Sequence, residues 1–370
     1  MNASLNEKLR TVKWGEFRIG NIFDVISYKK RFDANKVFVY ETGQYPYIVR
    51  MGTNNGQKGF INEDAKYLND GNTISFGQDT ATVFYQEKPY FTGDKIKILK
   101  PKYPEFRKEN AQFFIAAMNL AFSSFSWGGS SFNMEIIKEV KLTLPLTPDG
   151  TIDFNFMESF IAELEAERIA ELSAYLIVSE LDNYELSAEE EKAIKDYSAY
   201  QWGSFNLEAL YGKSTRGKRL KSEDRIPGTL PFVTAGEAEE GVSAFIGNDV
   251  KVFEKNTTTI DMFGSAKYRN YRYGGDDHVA IVHTEKVPVK AAIFVTSAIN
   301  KAAHTSKFDY GHNFYAKDAD ALNIMLPMKD GKPDYHAMEI LISAIQKLVI
   351  KEVVRYADRK ITLTKEVTKK

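Results

Sequence analysis

Two hydrophobic periods alternate along this chain. Short runs rich in β-branched and aromatic residues, at Tyr45–Val49, Thr73–Phe76, Lys95–Leu99 and Glu139–Leu144, lie between Gly, Asn and Asp turns and predict strands. Ala111–Phe122 and Val289–Ala303 carry apolar residues at helical spacing. Asp153 and Asp334 each stand where an N-cap would, before a run with apolar positions three and four apart. The first run places Met157, Ile161, Leu164, Leu172 and Tyr175 on one stripe, and the second Met338, Ile342, Ile345, Val353 and Tyr356. Helices over roughly 154–180 and 335–360 follow. Either each lies on its own domain, or the two stripes meet in an antiparallel coiled coil. Strands and helices do not alternate as in a parallel-sheet enzyme, so the fold class is α+β.

The pattern is written twice. Trp14-Gly15-Glu16-Phe17 returns as Trp202-Gly203-Ser204-Phe205, 188 residues later. Lys30-Arg31-Phe32 meets Lys218-Arg219-Leu220, and Tyr45-Pro46-Tyr47-Ile48 meets Leu230-Pro231-Phe232-Val233. Gly56 with Phe60-Ile61 meets Gly241 with Phe245-Ile246, and Phe125-Ser126-Trp127-Gly128 meets Phe308-Asp309-Tyr310-Gly311. Leu144-Pro145 meets Leu326-Pro327, Asp149-Gly150 meets Asp330-Gly331, and Asp153, Met157 and Glu158 meet Asp334, Met338 and Glu339. The offset drifts only to 181, and the order of blocks is never broken. Two pseudo-symmetric tandem domains are expected, over 1–153 and 201–334, with helical spacers at 154–200 and 335–370.

Charge adds to this division. The formal total is −1, yet residues 1–150 hold 20 Lys and Arg against 16 Asp and Glu, and 331–370 hold 9 against 5. Residues 151–200 hold 3 against 13, while 201–330 are nearly balanced at 17 against 16. One acidic helical segment therefore conceals mildly basic surroundings, and its charge, opposite to that of the C-terminal helix, favours the coiled coil. The absence of cysteine excludes disulfides, thiol catalysis and Cys-ligated zinc. The first ten residues lack a signal-peptide apolar core, and no run approaches the ~20 apolar residues of a membrane span, so a cytoplasmic protein without membrane contact is expected.

In both copies these blocks resemble the type I restriction–modification DNA specificity family. The resemblance lies in Trp-Gly-x-Phe followed by Ile19-Gly20-Asn21-Ile22-Phe23, in the following Lys-Arg, and in Pro-Tyr-Ile with Asn54-Asn55-Gly56 and Gly59-Phe60-Ile61. It continues through Ile74-Ser75-Phe76-Gly77, Leu-Pro, Asp-Gly and the helix opening Phe156-Met157-Glu158. The second copy departs from it, with Thr-Ala-Gly-Glu (234–237) and Thr-Thr-Thr-Ile (257–260) where the first has Arg-Met-Gly-Thr (50–53) and Thr-Ile-Ser-Phe (73–76). The resemblance implies two target-recognition domains that each read half of a split site in double-stranded DNA. It further implies two helices that act as ruler and docking surface for methyltransferase (modification) subunits and, where the system restricts, a restriction or translocase subunit. The chain itself would be non-catalytic and need no cofactor.

Candidate DNA contacts are Lys29, Lys30 and Arg31, recurring as Arg216, Lys218 and Arg219, because cations neutralise phosphates and Arg can pair with guanine. Lys267, Arg269 and Arg272 interleave with aromatics, as an outward-facing half-buried strand would place them. Asn54 and Asn55 suit a turn or adenine readout, and His312 stands beside Tyr310 and Asn313. Trp127 and Tyr310 are expected to be packing anchors rather than base-stacking platforms. The five histidines show no metal-ligand spacing, so no metal site is expected. Walker, GxSxG, dinucleotide and amino-methyltransferase motifs are absent, and Glu139-Val-Lys141 alone does not make a nuclease. A self-contained DNA-acting enzyme or a standalone DNA-binding protein with the same tandem fold is the alternative.

Overall fold

The computed structural model describes residues 3–123, 132–305 and 307–368, with side chains as far as residue 363; the Phe125–Gly128 block, with Trp127, lies outside them. Two units emerge, one of residues 1–172 with 359–370 and one of residues 173–358. The first contains α1 (Ala3–Thr11), β1 (Lys13–Arg18), α2 (Ile19–Ile22), β2 (Phe23–Ser27), β3 (Pro46–Ile48), β4 (Gln57–Phe60), β5 (Thr73–Gly77) and β6 (Val83–Gln86). There follow β7 (Phe91–Thr92), β8 (Ile96–Pro101), α3 (Lys108–Phe122), α4 (Met134–Glu139), β9 (Lys141–Leu146) and most of α5 (Phe154–Val178). After α6 (Ala188–Lys195) the second repeats the order with β10 (Trp202–Asn206), α7 (Leu207–Tyr211), β11 (Thr215–Arg216), β12 (Pro227–Val233) and β13 (Val242–Ile246). It continues with β14 (Val252–Phe253), β15 (Thr257–Asp261), β16 (Ala266–Arg269), β17 (Tyr273–Gly275), β18 (Val279–Val282) and α8 (Val289–Ala303). It ends with α9 (Ala316–Ala321), β19 (Asn323–Lys329), β20 (Lys332–Pro333) and α10 (Tyr335–Thr368).

Pairing registers make the repeat exact at the level of residues. Trp14 faces Pro145 and Gly15 faces Leu144 across β1 and β9, while Trp202 faces Pro327 and Gly203 faces Leu326 across β10 and β19. A four-stranded sheet β2-β8-β5-β6 recurs as β11-β18-β15-β16, and β4-β3-β7 recurs as β13-β12-β17 with β14 added. Both α3 and α8 are 15 residues long, and the mixed arrangement is α+β.

The central strands β5 and β15 are buried along their whole length yet rich in hydroxyls. Buried hydroxyls need partners, and both copies supply the same ones. Thr73 Oγ1 lies 3.1 Å from the Tyr90 hydroxyl and Thr257 Oγ1 2.9 Å from that of Tyr273. Tyr85 donates to Asn72 Oδ1 at 3.0 Å, and Tyr268 to Asn256 Oδ1 at 2.9 Å. Gln86 Nε2 bridges Ser75 Oγ (3.0 Å) and Asn55 O (3.1 Å). In the second copy Arg269 holds the same place: Nε to Thr259 Oγ1 at 2.9 Å and Nη2 to Glu240 O at 2.8 Å, with Nη1 donating to the Tyr271 hydroxyl at 2.9 Å. Arg269 is therefore 1% exposed and faces inward, which corrects the outward orientation expected from alternation. A guanidinium with several donors can satisfy three acceptors where the Gln amide satisfies two.

The long helices begin as expected. Asp153 Oδ1 accepts from Phe156 N–H at 2.9 Å, and Asp334 Oδ1 from Ala337 N–H at 3.0 Å. Met157 is buried in the first core, with Ile161 and Leu164 against it, and Met338 is buried in the second. Farther along, the expected stripe is displaced. Tyr175 is 63% exposed and Ile345 46%, and Val353 and Tyr356 are exposed as well. The buried positions are Leu176, Val354 and Ala357, each one residue later than a stripe member. A helix turns 3.6 residues per turn, so an apolar face drifts off a fixed spacing over several turns. In the second unit, Lys347 Nζ donates to Glu190 Oε2 (2.8 Å) and Glu185 O (2.9 Å), while in the first Lys360 pairs with Glu165 at 3.1 Å. Burial opposes ionisation of Glu190, but the Lys347 ammonium, the Ser187 N–H and Ser343 outweigh it and hold the carboxyl down at about 2.

Leu176→Asp and Val354→Asp are each expected to cost about 2–5 kcal/mol by placing a charge among apolar neighbours, whereas Ile345→Asp costs less than about 1 kcal/mol. Urea unfolding measures the three, and equal losses would restore the stripe through Ile345. Gln86→Leu leaves the Asn55 carbonyl without its side-chain donor and is expected to cost about 1–3 kcal/mol, with Arg269→Met costing at least as much. Unchanged unfolding midpoints in both variants would show that these bridges do not hold the sheets to their turns.

Candidate nucleic-acid interface

The basic cluster of the first unit follows β2 and is largely engaged. Lys29 lies 4.0 Å from Asp70, and Arg31 Nη1 lies 3.5 Å from Asp94. The Lys30 ammonium sits 4.8 Å from the Phe32 ring centre and 4.4 Å from that of Tyr67. Arg31, Arg50 and Asp94 line a cavity of about 460 Å³ with Tyr47 and Thr80. Arg50 pairs with Asp79, which also takes Lys95 at 2.8 Å. Burial, reinforced by Asp33 and Asp94, pushes the Tyr47 hydroxyl up to about 12, and it stays a neutral donor to Phe32 O at 2.7 Å. Sequence reasoning did not single out Arg50 and Lys95 as site residues. They are distant in the chain and meet only because the loop after β5 places Asp79 between them.

The second cluster differs in its freedom. Arg216, Lys218 and Arg219 are exposed, and none has a carboxylate partner among the described residues. Arg216 ends β11, whose partner is β18, and the Lys218 N–H donates to Gly275 O at 2.9 Å. Gly217 is required between them, since a Cβ there would stand 1.7 Å from Gly275 O. The close approach pins the backbone while its neighbours project outward.

The remaining candidates divide by what their donors already do. Asn54 (φ 50°) and Asn55 (φ 54°) form a left-handed turn. Their amides donate to Gln57 O at 2.8 Å and Tyr85 O at 3.0 Å, so the pair shapes a turn against β6. Lys267 is held by Glu237 (3.1 Å) and Ser265 (2.8 Å), whereas Arg272 is exposed with Glu254 at 3.2 Å. Arg269 is withdrawn into the core. His312 is exposed and stacks on Phe308 at 5.8 Å. Tyr310 is 86% exposed, in edge contact with Phe263 at 5.2 Å, and is not the packing anchor that the sequence suggested. Asp276, Asp277 and His278 bring one ligand atom each within 4.8 Å of one another, although burial, with the Asp277 charge beside it, raises the Asp276 carboxyl. Among the described residues no helix is long and apolar enough to cross a membrane.

The family model for the type I restriction modification DNA specificity domain matches residues 11–174. The type II restriction enzyme BgcI specificity subunit S.BcgI of Heyndrickxia coagulans is 26% identical over 345 residues, 92% of this chain and 96% of that protein. In fold, the chain is similar to the crystal structure of the type I restriction–modification system S subunit from M. genitalium, with a TM-score of 0.60 at 15% identity over 96% of this chain and 94% of that one. Residues 11–174 thus match the type I restriction modification DNA specificity domain, and over 92% of its length the chain is similar to a restriction-enzyme specificity subunit.

Proposed function

We propose that this chain is the non-catalytic specificity subunit of a restriction–modification complex and reads a bipartite DNA site. Residues 1–153 and 201–334 act as the two target-recognition domains, with 154–200 and 335–370 as spacers that pair in an antiparallel coiled coil and dock methyltransferase subunits. A nuclease or translocase subunit joins where the system restricts. The observation that carries this reading is the combination of a buried polar framework, whose Thr–Tyr and Tyr–Asn pairs recur in both copies, with outer side chains that differ between them. A shared frame with divergent outer residues suits two modules that present different contacts to two half-sites.

The exposed cations are assigned to phosphates and base edges. Arg216, Lys218, Arg219 and Arg272 present the more accessible charge, and Lys29, Lys30 and Arg31 would exchange weak internal partners for phosphates. Exposed ion pairs contribute only ~0–1 kcal/mol, so that exchange is cheap. Asn54 and Asn55 act through the turn they shape, Lys267 would have to leave Glu237, and His312 with Tyr310 offers an exposed aromatic pair. A 25-residue helix such as α5 rises about 37 Å, near one turn of duplex, the distance at which two modules meet the same face of DNA.

Replacing Lys218 and Arg219 with alanine is expected to weaken DNA binding and to reduce the slope of log K against log salt by about 2, since about two fewer phosphates are neutralised. Binding measured by anisotropy across salt concentrations checks this, and an unchanged slope removes both residues from the interface. A chimera carrying a foreign first domain tests modularity. Methylome sequencing should show one half of the modified site changed and the other kept, and joint change of both halves would refute the bipartite reading.

A further inference from the structure

One polar cluster of the first unit has no counterpart in the second. Arg50 follows β3, Asp79 lies in the turn between β5 and β6, and Lys95 lies in the turn between β7 and β8. Asp79 Oδ2 takes Arg50 Nη1 and, at 2.8 Å, Lys95 Nζ. Pairing registers place Ala235 where Arg50 stands. Ile48 faces Thr92 as Val233 faces Gly275, and the hairpins then close alike, from Val49 N–H to Gly56 O and from Thr234 N–H to Gly241 O. His278 takes the place of Lys95, since Ile96 faces Gly77 and Val279 faces Asp261. The turn that holds Asp79 closes from Gly77 N–H to Thr82 O, and its counterpart, one residue shorter, from Asp261 N–H to Ser265 O. The carboxylate there, Asp261, accepts from Phe263 N–H at 2.9 Å and Ser265 N–H at 3.0 Å, within its own turn. The Thr–Tyr and Tyr–Asn pairs recur and this trio does not, so the fold of a unit forms without it.

Asp79 leaves one edge of the guanidinium free. Among the described residues Arg50 makes no other hydrogen bond, so its Nε–H and the Nη2–H beside it remain as two parallel donors. The Arg50 side chain is 32% exposed and, with Arg31, Asp33, Tyr47, Thr80 and Asp94, lines the cavity of about 460 Å³. Two cations and two carboxylates line it, so its walls are formally neutral. A phosphate there would be repelled by Asp33 and Asp94 as it met the guanidiniums, whereas a neutral edge with two adjacent acceptors would not. We infer that Arg50 is a specificity-determining residue of the first recognition domain, pairing through Nε and Nη2 with O6 and N7 of a guanine; the inference rests on the proposed function. Among the bases only guanine sets two acceptors side by side in the major groove. Adenine sets a donor beside its acceptor, which would oppose one N–H of the fork. Asp79 is a positioning residue that holds the guanidinium by Nη1, and Lys95 offsets its charge. With Ala235 at that place, the second domain makes no such contact.

The full-length chain, as wild type, Arg50→Lys and Asp79→Asn, is expressed in its host in place of the native copy, and each methylome is sequenced. In the half-site that the first-domain chimera assigns, wild type is expected to require guanine at one position. Arg50→Lys keeps the charge beside Asp79 and loses the fork. Modification of sites with another base at that position should rise about tenfold or more, with every other position kept. Asp79→Asn should relax the same position in part, whereas a merely structural loss would lower modification at all sites alike. Purified chains are then compared by anisotropy on duplexes with the guanine kept or exchanged for adenine. The preference of wild type, about tenfold or more, should fall below about threefold in Arg50→Lys, with thermal melting unchanged. If wild type requires no guanine in that half-site, or Arg50→Lys keeps the preference, the inference is overturned and the proposed function stands. The same holds if Arg50→Ala weakens both duplexes equally and lowers the salt slope by about 1, the mark of a phosphate contact. If wild type directs modification to no defined site, the proposed function itself falls.

Discussion

Two strands buried along their whole length, yet lined with hydroxyls, constrain everything around them. Thr73 and Ser75 on β5, and Thr257, Thr258 and Thr259 on β15, cannot reach water and must each be answered by a neighbour. The answers fix the fold beyond the sheet. Tyr90 and Tyr273 hold the opening threonines, Gln86 and Arg269 reach from the adjoining strand to the turn before it, and Thr296 meets Thr258 at 2.6 Å from α8. Each bond ties a different element to one strand. Residues outside that network can then vary without loss of register, which a protein needs if its outer face changes with its target.

Elements with a strong period were legible in the sequence. The helix Val289–Ala303 matches the residues read from apolar spacing, and both aspartate caps donate no hydrogen bond but accept one each, as their position before an apolar run implies. The strand Thr73–Phe76 was bounded within one residue of β5. Tandem duplication was legible for a different reason: order among many short blocks survives even where individual identities do not.

What failed did so where a local pattern was asked to settle a tertiary question. Alternation placed Arg269 on the outer face of its strand, but the register Thr257 to Arg269 is the counterpart of Thr73 to Gln86, and that position points inward in both copies. Matching Arg269 to Gln86 through the repeat would have exposed the error, since Gln86 stands in a weakly basic stretch that offers no competing reason to face solvent. The helical stripe failed by one residue because a fixed spacing was carried over several turns, so that Tyr175, Val353 and Tyr356 fell on the exposed side of a drifting face. The polar bridges themselves were invisible, because no residue type announces which backbone carbonyl it will meet.

Charge distribution closes the argument, since a formal total of −1 suits a polyanion badly. The net acidic excess lies in one segment, and lysines of the C-terminal helix engage part of it: Glu165 takes Lys360 and Glu190 takes Lys347. The two pairs are not equivalent. Lys360 and Glu165 are exposed enough that their attraction is screened and worth little. Glu190 and Lys347 are both mostly buried, and Glu190 also accepts from Ser187 N–H at 2.7 Å, so removal of either charge would strand the other. That pair therefore fixes α6 on α10 more than it adds net stability. Arg216, Lys218 and Arg219 meanwhile have no carboxylate partner among the described residues. A near-neutral protein can in this way present a positive face, because what a docking polyanion meets is the local field and not the sum.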